Sequence, residues 1–170
     1  MKLSRFIFTL ACLLVVLGMV GCGPGAEAPN PPSQSSSGIV EKLTVQQLAS
    51  RADSILVGKV TDIACYEEGE GNIYNQVTLS VEQTIKGETK QAVNVRVPGG
   101  ELNGQTLWVE DTPSFQTGER VVVFLEERED IFTVVGGFQG KFSIENNNMV
   151  GGNMPLTEFI DQIRDILVSQ

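Results

Sequence analysis

The stretch Arg120-Val121-Val122-Val123-Phe124-Leu125, RVVVFL, decides how the rest of the chain is read. Its apolar run is continuous, rich in β-branched residues and too short for a helix, so it reads as a central strand. The charged run Glu126-Glu127-Arg128-Glu129-Asp130 follows and leads into another apolar segment, which makes it a hairpin turn rather than a site. Strands at Ile131 to Val135 and at Lys141 to Ile144 come next, separated by Gly136-Gly137-Phe138-Gln139-Gly140. Upstream, Val93, Val95 and Val97 line a strand that Pro98-Gly99-Gly100 breaks, and a further strand falls around Thr106 to Glu110. Gln76 to Ile85 alternates cleanly, with Val77, Leu79 and Val81 on one face, and turns at Lys86-Gly87. Ile55 to Ile63 is an apolar strand with Gly58 as a bulge.

Two helices flank these strands. Thr44-Val45-Gln46-Gln47 is a capping-box pattern, with Leu43 and Leu48 at the positions of a hydrophobic staple, so a short helix spans Val45 to Arg51. Phe159, Ile160, Ile163, Ile166 and Leu167 recur at helical spacing and predict an amphipathic helix over Thr157 to Val168, able to plug or cover one barrel end. Six or seven short strands and two helices describe a mainly β domain, a small closed barrel.

Composition narrows the chemistry. The chain has 12 basic and 21 acidic residues and no histidine. A cut after Gly21 would remove Lys2 and Arg5, leaving ten basic residues and a net charge of −11. So acidic a surface repels nucleic acid and anionic headgroups. Without histidine, Ser-His, Cys-His and His-ligated zinc chemistry are excluded. No cofactor or metal is expected.

The N-terminus carries its own message. Lys2 and Arg5 precede an apolar run from Phe6 to Val20, 15 residues long, short of the roughly 20 that span a bilayer. This is the pattern of a secretory signal over residues 1–21. Met19-Val20-Gly21-Cys22 resembles the bacterial lipobox, with methionine where leucine is usual. The resemblance implies that Cys22 takes a diacylglyceryl group on sulfur and becomes the new N-terminus. Two acyl chains suffice for stable anchoring. The alternative is an ordinary signal cut that leaves Cys22 a plain thiol. Gly23 to Gly38 holds four prolines, four serines and three glycines and reads as a disordered tether over residues 22–38, with a reach of about 20–25 Å. If Cys22 is acylated it cannot pair with Cys65, so the domain over residues 39–170 must be held by packing alone.

The segments ADSILVGKVTDI (Ala52 to Ile63), VTLSVEQTIKG (Val77 to Gly87), VNVRVPGG (Val93 to Gly100) and PSFQTGERVVVFL (Pro113 to Leu125) resemble the netrin-like family, which includes tissue inhibitors of metalloproteinases. Ala52-Asp53, Val81 to Gly87 and Gly118-Glu119 carry the motifs, and GGFQGKF (Gly136 to Phe142) resembles a further feature of bacterial secreted versions. The resemblance implies a five-stranded barrel of the OB type. The animal inhibitors chelate zinc through a free N-terminal cysteine within a disulfide framework. Here the N-terminal cysteine is read as acylated and precedes the barrel by some thirty residues, so those inhibitory residues carry over to no position.

Several residues could still form a site. Glu67-Glu68-Gly69-Glu70-Gly71-Asn72 gathers oxygen ligands suited to calcium, yet lacks the ordered alternation of a dedicated loop and reads as a solvated hairpin. Trp108, the only tryptophan, could stack a ligand on an OB barrel; its neighbours Leu107 and Val109 favour core packing or a covered edge. Cys65 reads as a passive, half-buried thiol. Gly99-Gly100 and Gly136-Gly137 lack phosphate-loop context and read as turns. The resulting expectation is an extracytoplasmic, membrane-anchored lipoprotein whose barrel is a non-enzymatic binding module for an unknown protein or small molecule. The rivals are a regulator of an extracytoplasmic protease, implied by the resemblance, and a hydrolase using carboxylates alone.

Overall fold

The computed structural model describes residues 41–69, 71–145 and 147–170. The signal segment, Cys22, the tether and Glu70 of the acidic loop lie outside the described residues. Among the described residues, no helix is long and apolar enough to cross a membrane.

Helix α1 spans Val45–Arg51. Its capping box forms as the sequence predicts: the Gln47 amide donates to Thr44 Oγ1 at 3.2 Å, and the Thr44 amide to Gln47 Oε1 at 2.8 Å. At the other end the Lys86 ammonium donates to the carbonyls of Ala49 (3.0 Å) and Ala52 (2.6 Å), a cation at the negative pole of the helix.

The strands are β1 Ser54–Glu68, β2 Asn72–Lys86, β3 Ala92–Pro98, β4 Gly100–Leu102, β5 Gln105–Leu107, β6 Arg120–Arg128, β7 Ile131–Val134, β8 Lys141–Ile144, β9 Met149–Val150 and β10 Met154–Pro155. A 3-10 turn covers Gly137–Gly140, and helix α2 spans Leu156–Val168. The main sheet rings through five strands in the order β1-β2-β3-β7-β6, and β6 pairs back onto β1. Four seams are antiparallel ladders, whereas β3 meets β7 in a single parallel pair, Val95 with Phe132. The domain is therefore the OB-type barrel expected, its ring through five strands joined at that seam by one pair and so not formally closed.

Side-chain parity divides the hydrophobic residues into two cores. The first fills the barrel and draws on all five strands, including Val60, Leu79, Val95, Val121, Val123, Leu125 and Phe132. The second lies outside the wall, where Ile55, Val57, Val122 and Phe124 meet Leu48 of α1 and Phe159, Ile160 and Ile163 of α2. RVVVFL is continuous because both of its faces are covered. Phe142 on β8 joins the layers, its ring 5.7 Å from Phe124 and 4.9 Å from Phe159. The expectation that α2 caps a barrel end is thus corrected: its apolar stripe packs on the side wall, because β1 and β6 present apolar residues outward.

Other expectations were too short or too long. β1 and β2 continue to Glu68 and back to Asn72, well past Ile63 and Gln76. This outer hairpin is joined by Tyr66 and Tyr74, with ring centroids 5.9 Å apart. Arg96 lies 3.7 Å over the Tyr74 ring and pairs with Glu68. Ile73 is the one buried side chain here, flanked by half-buried and exposed ones, so no hydrophobic period marks these residues. The bulge expected at Gly58 is displaced: the register shifts between Val57 and Gly58, but the extra residue there is Glu82 on β2, and the extra residue on β1 is Thr61. Glu129 and Asp130 form the β6–β7 turn with both φ angles positive, at 51° and 63°, the sense of twist a two-residue hairpin needs.

Ile163 is fully buried in the outer core. Ile163→Ala is expected to destabilise the domain by about 2–5 kcal/mol, read as a lower urea midpoint with unchanged slope. A change below about 0.5 kcal/mol, the size of a surface substitution, would mean that α2 does not belong to the core.

Candidate functional site

The best candidate for a binding site begins where β3 ends. Gly99 donates its amide to the Ile73 carbonyl at 2.8 Å, and the chain then folds back over the outer part of the β1–β2 hairpin. Gly100 has φ 143°, and a Cβ there would lie 2.8 Å from Cys65 Sγ and 3.0 Å from the Asn75 side chain. Only glycine allows this approach. Asn75 Nδ2 donates to the Gly99 carbonyl at 3.0 Å and locks the reversal. β4 and β5 then form a small hairpin turned at Asn103-Gly104, both with positive φ, an arrangement that Asn-Gly favours.

Leu107 and Val109 turn inward and are half-buried, which points Trp108 outward, 85% exposed. This overturns the expectation that Trp108 packs in the core: alternation buries its neighbours and so excludes it. Its backbone is nonetheless held. Leu107 pairs with Gly100, and Thr112 Oγ1 donates to the Val109 carbonyl at 2.9 Å. The Asp111 carbonyl accepts the Phe138 amide at 3.0 Å, and a Cβ on Gly137 would collide with that carbonyl. The paired glycines are turn residues, as read, and Gly136 to Gly140 fixes the loop that carries Trp108.

A cleft of about 300 Å³ opens beside the indole. Val97, Pro98 and Val109 give it an apolar side; Asn75, Thr106 and Thr112 give it amide and hydroxyl groups. None of its lining residues is ionisable. The signal that locates it in sequence is Asn103-Gly104, which marks a hairpin and leaves Trp108 just beyond its return strand.

The remaining candidates do not converge on it as a constellation. Cys65 is half-buried and free, beneath Gly100. Glu67, Glu68 and Asn72 belong to strands at the exposed hairpin end, and Glu68 is engaged by Arg96. No cluster of three metal-ligating side chains occurs among the described residues. Glu126 pairs with Arg128 at 3.0 Å beside the β6–β7 turn. A second, wider groove of about 720 Å³ runs between α1 and α2 and is lined by Glu158, Asp161 and Asp165. Their helical spacing brings neighbouring Cβ atoms within about 5–6 Å, as a two-carboxylate hydrolase needs, but all three are exposed and Asp161 meets Arg164 at 3.3 Å. Burial, which keeps a carboxylic acid protonated for catalysis, is missing there.

The motif residues are joints. Asp53 donates its amide to the Leu125 carbonyl and accepts the Glu127 amide on its carboxylate, each at 2.8 Å, welding the start of β1 to β6. Lys86 closes α1. Gly118 and Glu119 bracket Val60, through Gly118 N–H to Val60 O and Val60 N–H to Glu119 O, both 2.8 Å. The Glu119 carboxylate accepts from Lys141 (2.6 Å), Ser143 (2.7 Å) and the Gln116 amide (3.1 Å). Gln139 accepts from the Leu43 amide at 2.7 Å and donates to the Glu41 carbonyl at 3.1 Å, pinning the chain where it enters the domain.

Burial alone would raise the Glu119 pKa, but hydrogen bonds from Lys141, Ser143 and the Gln116 amide, with the ammonium charge, outweigh it and hold the carboxyl below its ordinary 4.5. A depressed folded pKa contributes stability that is fully present above the unfolded value and is lost as pH falls through the folded one. Urea midpoints from neutral pH downward should therefore decline below about 4.5, and Glu119→Gln should lower the neutral-pH midpoint and flatten that decline. An acid limb equally steep in Glu119→Gln would show that this network does not contribute.

No family model matches the chain, and no curated protein matches it in sequence.

Proposed function

We propose that this chain is a bacterial envelope lipoprotein, anchored through lipid on Cys22, whose OB-type barrel serves as a non-enzymatic binding module. The observation that carries the binding reading is Trp108: a large apolar side chain left 85% exposed beside a formed cleft, on a backbone pinned from both sides. Burying a large apolar side chain is worth roughly 1.5–3 kcal/mol, so an indole held in water forgoes stability that a ligand could recover. The anchoring reading is supported by the basic start, the short apolar run, Gly21-Cys22 and the proline- and serine-rich segment after them. The protein would then lie outside the cytoplasm, joined to the membrane by lipid, with no nucleic-acid partner.

Two measurements address the two halves. Cys22→Ser should abolish incorporation of labelled palmitate and either release the protein from membranes or accumulate the unprocessed precursor; processing and retention like the wild type would contradict the anchor. A photoreactive phenylalanine analogue at position 108 should trap a specific envelope component in living cells, where the same analogue at the exposed Gln162 does not. Identical, non-specific adducts at both positions would contradict the binding surface.

A further inference from the structure

We infer that the Trp108 cleft takes a neutral, polyhydroxylated ligand, a segment of uncharged saccharide chain. The inference rests on the binding-module reading and specifies its ligand class. Charge comes first. Lys, Arg, Asp and Glu together make up 19% of the chain, with a net charge of −9, yet no lining residue of this cleft is ionisable. An anionic ligand would meet no counter-charge and a repelling surface field. A cation would find its carboxylates elsewhere, in the acidic groove between α1 and α2.

The polar groups supply what a hydroxylated ligand needs. Asn75 commits one amide hydrogen to Gly99, leaving its carbonyl oxygen able to accept. Thr112 donates its hydroxyl hydrogen to Val109, so its oxygen lone pairs remain acceptors. Thr106 and Ser114 line the same cleft and can act as donors or acceptors. Beside them stands an exposed indole face, whose electron-rich surface attracts the polarised C–H groups of a pyranose ring. An aromatic platform with hydroxyl and amide partners, and no charge, matches a sugar ring that is apolar on its faces and hydroxylated at its edge. The site is also pre-organised. The Phe138 amide holds the Asp111 carbonyl, and the β4–β5 ladder holds Leu107, so the backbone that carries Trp108 needs little ordering on binding.

Trp108 is the only tryptophan in the chain, so its emission in the purified lipoprotein reports this cleft alone. Cellotetraose, maltotetraose and the tetramer of N-acetylglucosamine are titrated against the full chain, with oligogalacturonate as the anionic control. At least one neutral oligomer should give a saturable emission change that the anionic one does not. By calorimetry, Trp108→Ala should weaken that binding about tenfold or more, within the range of a lost stacking contact, while Trp108→Tyr retains most of it. Because Trp108 is exposed, both variants should keep the wild-type urea midpoint. Absence of any saturable response to the neutral oligomers overturns the inference, as does unchanged affinity in Trp108→Ala. A peptide of Gly23 to Gly38 tests the other ligand an exposed tryptophan beside prolines suits, a polyproline segment. Its binding without a saccharide response overturns the saccharide assignment. Should the analogue at position 108 trap a protein while no oligomer binds, the binding module stands and this inference falls.

Discussion

The domain depends on one strand being buried on both faces. Val121, Val123 and Leu125 point into the barrel, while Val122 and Phe124 point out to the helices, and all five have no exposed surface. β6 also pairs with β1, β7 and β8. Every other element is placed relative to this wall: β1 beside it, α1 and α2 over it, and the rest of the barrel curling from its inner face. Cys65 is a free thiol, so among the described residues hydrophobic packing on the two sides of this wall, and no disulfide, carries the stability.

The residues read as motifs in the sequence serve the wall. Asp53 sews β1 to the end of β6, Lys86 ties β2 to α1, and Glu119 binds the approach to β6 to Lys141 and Ser143 on β8. Gly136 to Gly140 then clamps both the entry segment at Glu41 to Leu43 and the loop at Asp111. The same clamp that fixes how the chain enters the domain also fixes the loop that presents Trp108. A rigid scaffold with a loop-borne aromatic is how small barrels commonly support binding.

Legibility in the sequence follows burial. α1, β8 and the continuous part of β6 are read at or near their observed bounds because caps and apolar runs mark them. The outer halves of β1 and β2 are missed because Tyr66, Tyr74 and Arg96 stabilise them through cross-strand contacts that leave no period-two signal. Trp108 is misjudged for a related reason. Apolar neighbours suggest burial, but in an extended segment they predict the opposite, since burying Leu107 and Val109 turns the residue between them to solvent. The placement of α2 could not be read either: an amphipathic stripe shows that a helix has an apolar partner, not which surface supplies it.

Native-state hydrogen exchange tests the two-sided wall most directly. If packing on both faces of β6 holds the domain together, the amides of Val122, Val123 and Phe124 should be the slowest to exchange. They should open only with global unfolding, sharing its urea dependence. Ile163→Ala should then speed their exchange by the same factor by which it raises the global unfolding equilibrium constant. Were these amides to exchange through a local opening faster than those of Val77 and Leu79 on β2, the wall would not be the element on which the fold depends.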